Sequence, residues 1–175
     1  FQVFPYFFIW NDFAVDQISS DFLGIKWHRH AEEPEYNYDS TECAQAIEFI
    51  RNRNMPVVLE EELSNTIRFI RELAEGVRVI IPHLGALNGG YRAVQDSGLW
   101  ELKNVYTDTS LASRGTIEDY IYNYGCGRLM FGSDFPFGHP KRELEKLRAM
   151  DLSEEDFQTI AGRNIQDLLQ EVRAK

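Results

Sequence analysis

Two hydrophobic periods alternate along the chain. Short apolar runs rich in β-branched and aromatic residues occupy residues 1–10, 22–28, 56–60, 77–83, 104–110 and 128–134. Their length and near-continuous apolarity suit strands buried on both faces of a parallel sheet. Between them the spacing of apolar residues changes to three and four. Residues 41–53 place Ala44, Ile47 and Ile50, flanked by Ala46 and Phe49, on one side. Residues 64–75 do the same with Ile67, Ile70, Leu73 and Ala74, with Ser64 predicted as N-cap and Gly76 as the stop. A shorter helix is predicted over 116–124, ended by Gly125, and another over 140–150, opened by Pro140 at its first position. Ser153 and the three acidic residues after it start a further helix. Residues 164–174 close the chain as the last one.

Strands alternating with helices imply parallel βαβ units, which could build a doubly wound sheet or a barrel. The polar residues favour the barrel. Nearly every apolar run ends in a titratable or hydrogen-bonding group: Lys26 and His28, Glu60, His83, Asp108 and Asp134. Barrels of this kind build their active sites at the C-terminal ends of the strands. The expected fold is therefore α/β, a (β/α)8 TIM barrel. At 175 residues the chain is shorter than the roughly 250 that such a barrel takes. It reads as one domain over residues 1–175 that runs from about the third strand to the eighth, with about two N-terminal strands missing. The first residue is Phe1, inside an apparent core strand, which points the same way.

Charge and cysteine content narrow the function. With 18 Lys and Arg against 28 Asp and Glu the net charge is -10, which argues against nucleic acid or an anionic membrane as the main partner. No apolar run reaches the roughly 18 residues of a membrane helix. The apolar opening lacks the basic segment and small-residue cleavage site of a signal peptide. Cys43 and Cys126 are unclustered, which fits a reducing, cytoplasmic setting.

Two motifs carry chemistry. In 128–137 (RLMFGSDFPF) Gly132 lets the backbone pass closely at a strand end and Asp134 is presented to the barrel mouth. In 79–86 (VIIPHLGA) His83 directly follows an apolar strand, placed to bind a metal or polarise a substrate. Lys26 and His28 share strand parity, so Ile25 and Trp27 should face the helices and leave Lys26 and His28 inside. Tyr106, Asp108 and Ser110 share parity on their strand and are expected to fill the interior or hydrogen-bond there, not to do chemistry. The HxH string His28-Arg29-His30 resembles a metal pair only superficially, with His30 read as a loop residue. His139 lies in the loop after the last strand.

Taken in order, the segments 24–28 (GIKWH), 56–60 (PVVLE), 80–85 (IIPHLG), 104–110 (NVYTDTS) and 129–136 (LMFGSDFP) resemble the amidohydrolase-related family of metal-dependent TIM-barrel hydrolases and non-oxidative decarboxylases. The resemblance runs from about Gly24 to the helix start at Arg163–Ile165. It implies that His83 matches the family's histidine after strand six, and Asp134 its aspartate after strand eight, a metal ligand and proton acceptor. The family's HxH pair of strand one has no counterpart in this sequence, and Glu60 stands where a histidine is expected after strand five. The implied metal set is thus His83, Asp134 and Glu60, around a divalent ion such as Zn or Mn. Lys26 and His28 are then expected as substrate or supporting residues. The implied function is hydrolysis of a small-molecule amide, ester or lactone-like substrate by a metal-activated water. The alternatives are non-oxidative decarboxylation on the same fold and a metal-free incomplete barrel that binds without catalysis. Open strand edges would favour a homo-oligomer.

Overall fold

The computed structural model describes residues 3–29 and 35–172. Six strands form one sheet in sequential order: β1 (Tyr6–Phe8), β2 (Gly24–His28), β3 (Val57–Glu60), β4 (Val79–Ile81), β5 (Val105–Asp108) and β6 (Leu129–Met130). Every neighbouring pair is parallel. The helices are α1 (Thr41–Arg53), α2 (Leu63–Arg68), α3 (Tyr91–Asp96), α4 (Arg114–Tyr124), α5 (Pro140–Arg148), α6 (Glu154–Gln158) and α7 (Asn164–Gln170). A doubly wound sheet would reverse its strand order at a switch point. Unreversed parallel order is the path of a (β/α) barrel, so the fold is an incomplete one, open between β1 and β6 among the described residues. No described helix is long and apolar enough to cross a membrane.

Alternation along the strands divides the sheet into two faces. Ile25, Trp27, Val57, Leu59, Val79, Ile81, Val105 and Leu129 are fully buried in the main core under the helices. Trp27 is its centre, with the rings of Phe69, Tyr36 and Phe13 at 4.9, 5.2 and 5.4 Å. The other face is apolar low on the strands. There Ile80 and Met130, with Tyr6, Val58 and Tyr106, pack against Ile165 and Leu168 of α7. Hydrogen bonds hold α7 against the N-terminal ends of the strands. Arg78 donates to the carbonyl of Leu168 at 2.6 Å and pairs with Glu171 at 3.0 Å, and Asn54 donates to the carbonyl of Glu171 at 3.0 Å. With one end closed by α7, the polar residues of the inner face collect at the other.

Local chemistry explains several helix ends. Ser40, Ser113 and Ser153 each accept a backbone N–H as N-caps of α1, α4 and α6. Pro140 opens α5, and Gly125 ends α4 at φ 75°. The helix predicted from Ser64 differs. It begins at Leu63 with Glu62 at the cap and no side-chain capping bond, then widens into a π-helical segment over Phe69–Leu73. Its start is set instead by Glu61, whose carboxylate accepts from the Glu62 N–H at 2.9 Å, while Thr66 N–H bonds the Glu62 carbonyl at 2.8 Å. The long first run shortens to Tyr6–Phe8. Residues 1–2, His30 and residues 173–175 lie outside the described residues. Helix α3 and the turn Leu99–Glu101 were not predicted, because they are too short to show a period.

Trp27 is 0% exposed and touches aromatic rings from several elements. Trp27→Ala should therefore cost about 3–5 kcal/mol, read as a lowered midpoint in urea denaturation.

Candidate active site

The C-terminal ends of β2 to β6 bring five of the predicted residues into one cluster. Lys26 and His28 point inward from β2, as their parity requires, and β3 carries Glu60 opposite His28. The Lys26 ammonium hydrogen-bonds Glu60 Oε1, and His28 Nε2 meets Oε2 at 2.9 Å. His83, just after β4, brings Nε2 to 3.7 Å from Glu60 Oε1 and 4.0 Å from Asp134 Oδ2. His139 is not among them: it caps α5, its Nδ1 accepting from the Lys141 N–H at 3.2 Å.

The next two glutamates turn elsewhere. Glu61 accepts from Tyr38 Oη at 2.7 Å and from Arg29 at 3.4 Å, behind the strand, and the exposed Glu62 sits at the start of α2. The run of three acids is thus split among three environments by the strand's pleat and the helix that follows.

The backbone holds the two motif residues in an uncommon conformation. His83 has φ 56° and Asp134 φ 49°, both in the left-handed region, and Leu84 and Leu111 near the same rim also have positive φ. Such a conformation in a non-glycine residue costs about 1–3 kcal/mol and persists only where surrounding contacts impose it. Here His83 follows Pro82, and residues 82–85 are all buried.

Asp108 and Ser110, expected only to fill space or hydrogen-bond, supply those contacts to His83. Asp108 Oδ1 accepts from the His83 N–H at 3.2 Å and the Ser110 N–H at 2.9 Å, and it also takes the Ser110 hydroxyl. With that hydroxyl proton committed, the 2.7 Å contact between Ser110 Oγ and His83 Nδ1 requires Nδ1–H to donate. The ring's rotation is set, and Nε2 is turned to the mouth. Gly132 is needed beside this group, because a Cβ there would stand 2.8 Å from Asp108 Oδ1. The sequence signal for Asp108 was present, since it ends a strand on the inward parity; what it touches was not. A cavity of 190 Å³ lies below, lined by Tyr6, Val58, Ile80, Asp108 and Met130 among others.

Burial opposes the charges in this cluster, and their neighbours decide the outcome. Burial alone would raise the Glu60 carboxyl, but the hydrogen bond from His28, the nearby His83 and the charge of Lys26 hold it well below the usual carboxylate range. Burial would lower His83, yet Glu60, Asp108 and Asp134 together raise it. Asp108 is raised by burial, with Ser110 and His83 offsetting part of the effect.

The fold and this strand-end cluster define an α/β barrel protein with its candidate chemistry at the mouth. A family model described as Amidohydrolase matches residues 21–170, and the chain belongs to that family. Among curated proteins none matches. Solved structures with a similar fold include a 2,6-dihydroxybenzoate decarboxylase from Rhizobium (16% identity, TM-score 0.63, covering 89% of this chain and 64% of that one). A dihydroxybenzoic acid decarboxylase from Polaromonas with bound manganese and 2-nitroresorcinol is 17% identical, with TM-score 0.60 and coverage of 91% and 64%. A zinc-bound amidohydrolase from Burkholderia multivorans is 16% identical, with TM-score 0.68 and coverage of 89% and 67%. The chain thus spans about 64% of the length of the decarboxylases it superposes on.

The site makes a pH prediction. Glu60, lowered from 4.5, contributes stability that is full above pH 4.5 and lost as the pH falls further. His83, raised from 6.5, contributes stability that is full below pH 6.5 and lost as the pH rises through its folded value. The difference in melting temperature between the wild type and Glu60→Gln should therefore be largest between pH 4.5 and 6.5 and shrink on both sides. Thermal denaturation followed by circular dichroism across that range checks it.

Proposed function

We propose that the chain carries the proton-transfer residues of a hydrolase that cleaves a small-molecule amide, ester or lactone-like substrate. The observation that supports this most is the convergence of His83 Nε2 and Asp134 Oδ2 at 4.0 Å, each on a strand-end residue held at positive φ. Strain concentrated on two facing titratable residues is a mark of functional sites. In this reading Asp134 takes the proton of the attacking water and returns it to the leaving group. His83, raised toward its protonated form, donates from Nε2 to the substrate oxygen on which charge develops. Asp108 and Ser110 keep the ring in place.

The family resemblance also implies a divalent cation, Zn or Mn, held by His83, Asp134 and Glu60, and the zinc- and manganese-bound neighbours support such an ion for the family's barrel. The described residues alone do not fit it. A catalytic zinc takes three protein ligands, and among the described residues no group of three or more His, Cys, Asp or Glu side chains is arranged to hold a metal. Glu60 in particular has both oxygens engaged.

One observation favours decarboxylation as a second reading. Phe8, Trp10, Leu111, Phe135 and Phe137 are exposed on loops and strand ends at the mouth, a rim suited to a flat aromatic acid. Release of carbon dioxide without addition of water would select it over hydrolysis. A barrel that only binds would turn over neither substrate class. As partners we propose a small-molecule substrate and a second copy of the chain, in the reducing cytoplasm that Cys43 and Cys126, both free thiols, would suit.

Asp134→Asn in the full-length protein should lower kcat on a responsive ester or lactone by about 10²–10⁴-fold with an unchanged circular dichroism spectrum. Activity that survives the substitution would remove Asp134 from the reaction.

A further inference from the structure

The mouth already contains a cation. Lys26 lies on the inner face of β2, opposite Val58, and its ammonium reaches Glu60. The strand cannot turn it away, because Ile25 and Trp27 on either side are fully buried in the opposite face. Glu60 is 6% exposed at its side chain. One of its oxygens carries the Lys26 ammonium, the other takes His28 Nε2 at 2.9 Å, and His83 Nε2 stands 3.7 Å from the first. A carboxylate ligand would have to present a lone pair to a metal at about 2.0–2.2 Å. Each of the two oxygens already carries a nitrogen donor. A divalent ion placed on Glu60 would also lie against the lysine ammonium, and like charges in a buried setting repel strongly.

We infer that Lys26 is the resident cation of this strand end: its ammonium neutralises Glu60, and Glu60 serves as the anchor of Lys26 and His28 and not as a metal ligand. The arrangement has a consequence for the rest of the mouth. It orders Lys26 and His28 along one wall, and it leaves His83 and Asp134 as the pair that faces an incoming substrate or ion. The inference deepens the proposed function, since it rests on the same mouth being the site, but it assigns Lys26 and Glu60 positioning roles that do not depend on which reaction occurs.

The test is zinc and manganese binding by the full-length protein, measured by competition with a chromophoric chelator. Glu60→Gln should bind each ion as the wild type does, whereas Lys26→Met, which releases the carboxylate, should bind at least about tenfold more tightly. Weakening by about tenfold or more in Glu60→Gln, or unchanged affinity in Lys26→Met, would overturn the inference. Should either variant fail to fold, crystals of the wild type soaked in manganese decide: an anomalous peak within about 2.2 Å of a Glu60 oxygen overturns it, and a peak elsewhere or none upholds it. The outcome is separable from that of the proposed function. Metal on Glu60 would leave the roles of Asp134 and His83 standing, and an active Asp134→Asn would leave the Lys26–Glu60 pair intact.

Discussion

A parallel sheet must bury both of its faces, and that constraint organises everything else in this chain. The outer face is satisfied by helices stacked on Trp27, Leu59, Ile81 and their neighbours. The inner face is satisfied only in its lower part, where Ile165 and Leu168 of α7 meet Ile80 and Met130. Polar residues on the inward parity therefore have one place to go, the C-terminal ends of the strands. Lys26, His28, Glu60 and Asp108 are delivered there by alternation alone. His83 and Asp134 arrive just past their strands, through backbone turned into the left-handed region.

The cluster that results is held together by mutual need. A buried carboxylate is tolerated only when it is paired and hydrogen-bonded, and Glu60 meets that demand with Lys26, His28 and His83. Asp108 meets it differently, with two backbone N–H groups and the Ser110 hydroxyl. The two carboxylates approach His83 from opposite sides of the ring: Asp108 acts on Nδ1 through Ser110, and Glu60 faces Nε2. The imidazole is thereby oriented as well as raised toward its charged form.

Membership of the amidohydrolase family and the barrel neighbours fix the architecture. At 16–17% identity the likeness to these neighbours is one of fold. This mouth carries a glutamate paired with a lysine at a strand end where a histidine was expected. Trp10, after β1, and Phe135 and Phe137, after β6, are exposed.

Much of this was legible in the residues themselves. Period and length marked the strands, serine caps and Pro140 marked helix starts, and parity assigned Lys26 and His28 to the inside and Trp27 to the helices. Those are local properties: side-chain alternation and cap chemistry act over a few residues and are written in the sequence. The position of Ser64, the widened turns of Phe69–Leu73 and Thr159–Arg163 and the existence of α3 were not legible, because neighbouring elements decide them. The same holds for the site. Glu60 and His83 are 23 residues apart, and Lys26 lies on another strand. Sequence named them as candidates. Only the parallel register of β2 against β3, and the approach of β5 to the turn after β4, determined that Glu60 would be taken by Lys26 and His28 and that Asp108 and Ser110 would hold His83. Hydrogen bonds depend on distances of a few tenths of an ångström between strands far apart in the chain, and those distances exist only once the barrel wall has packed.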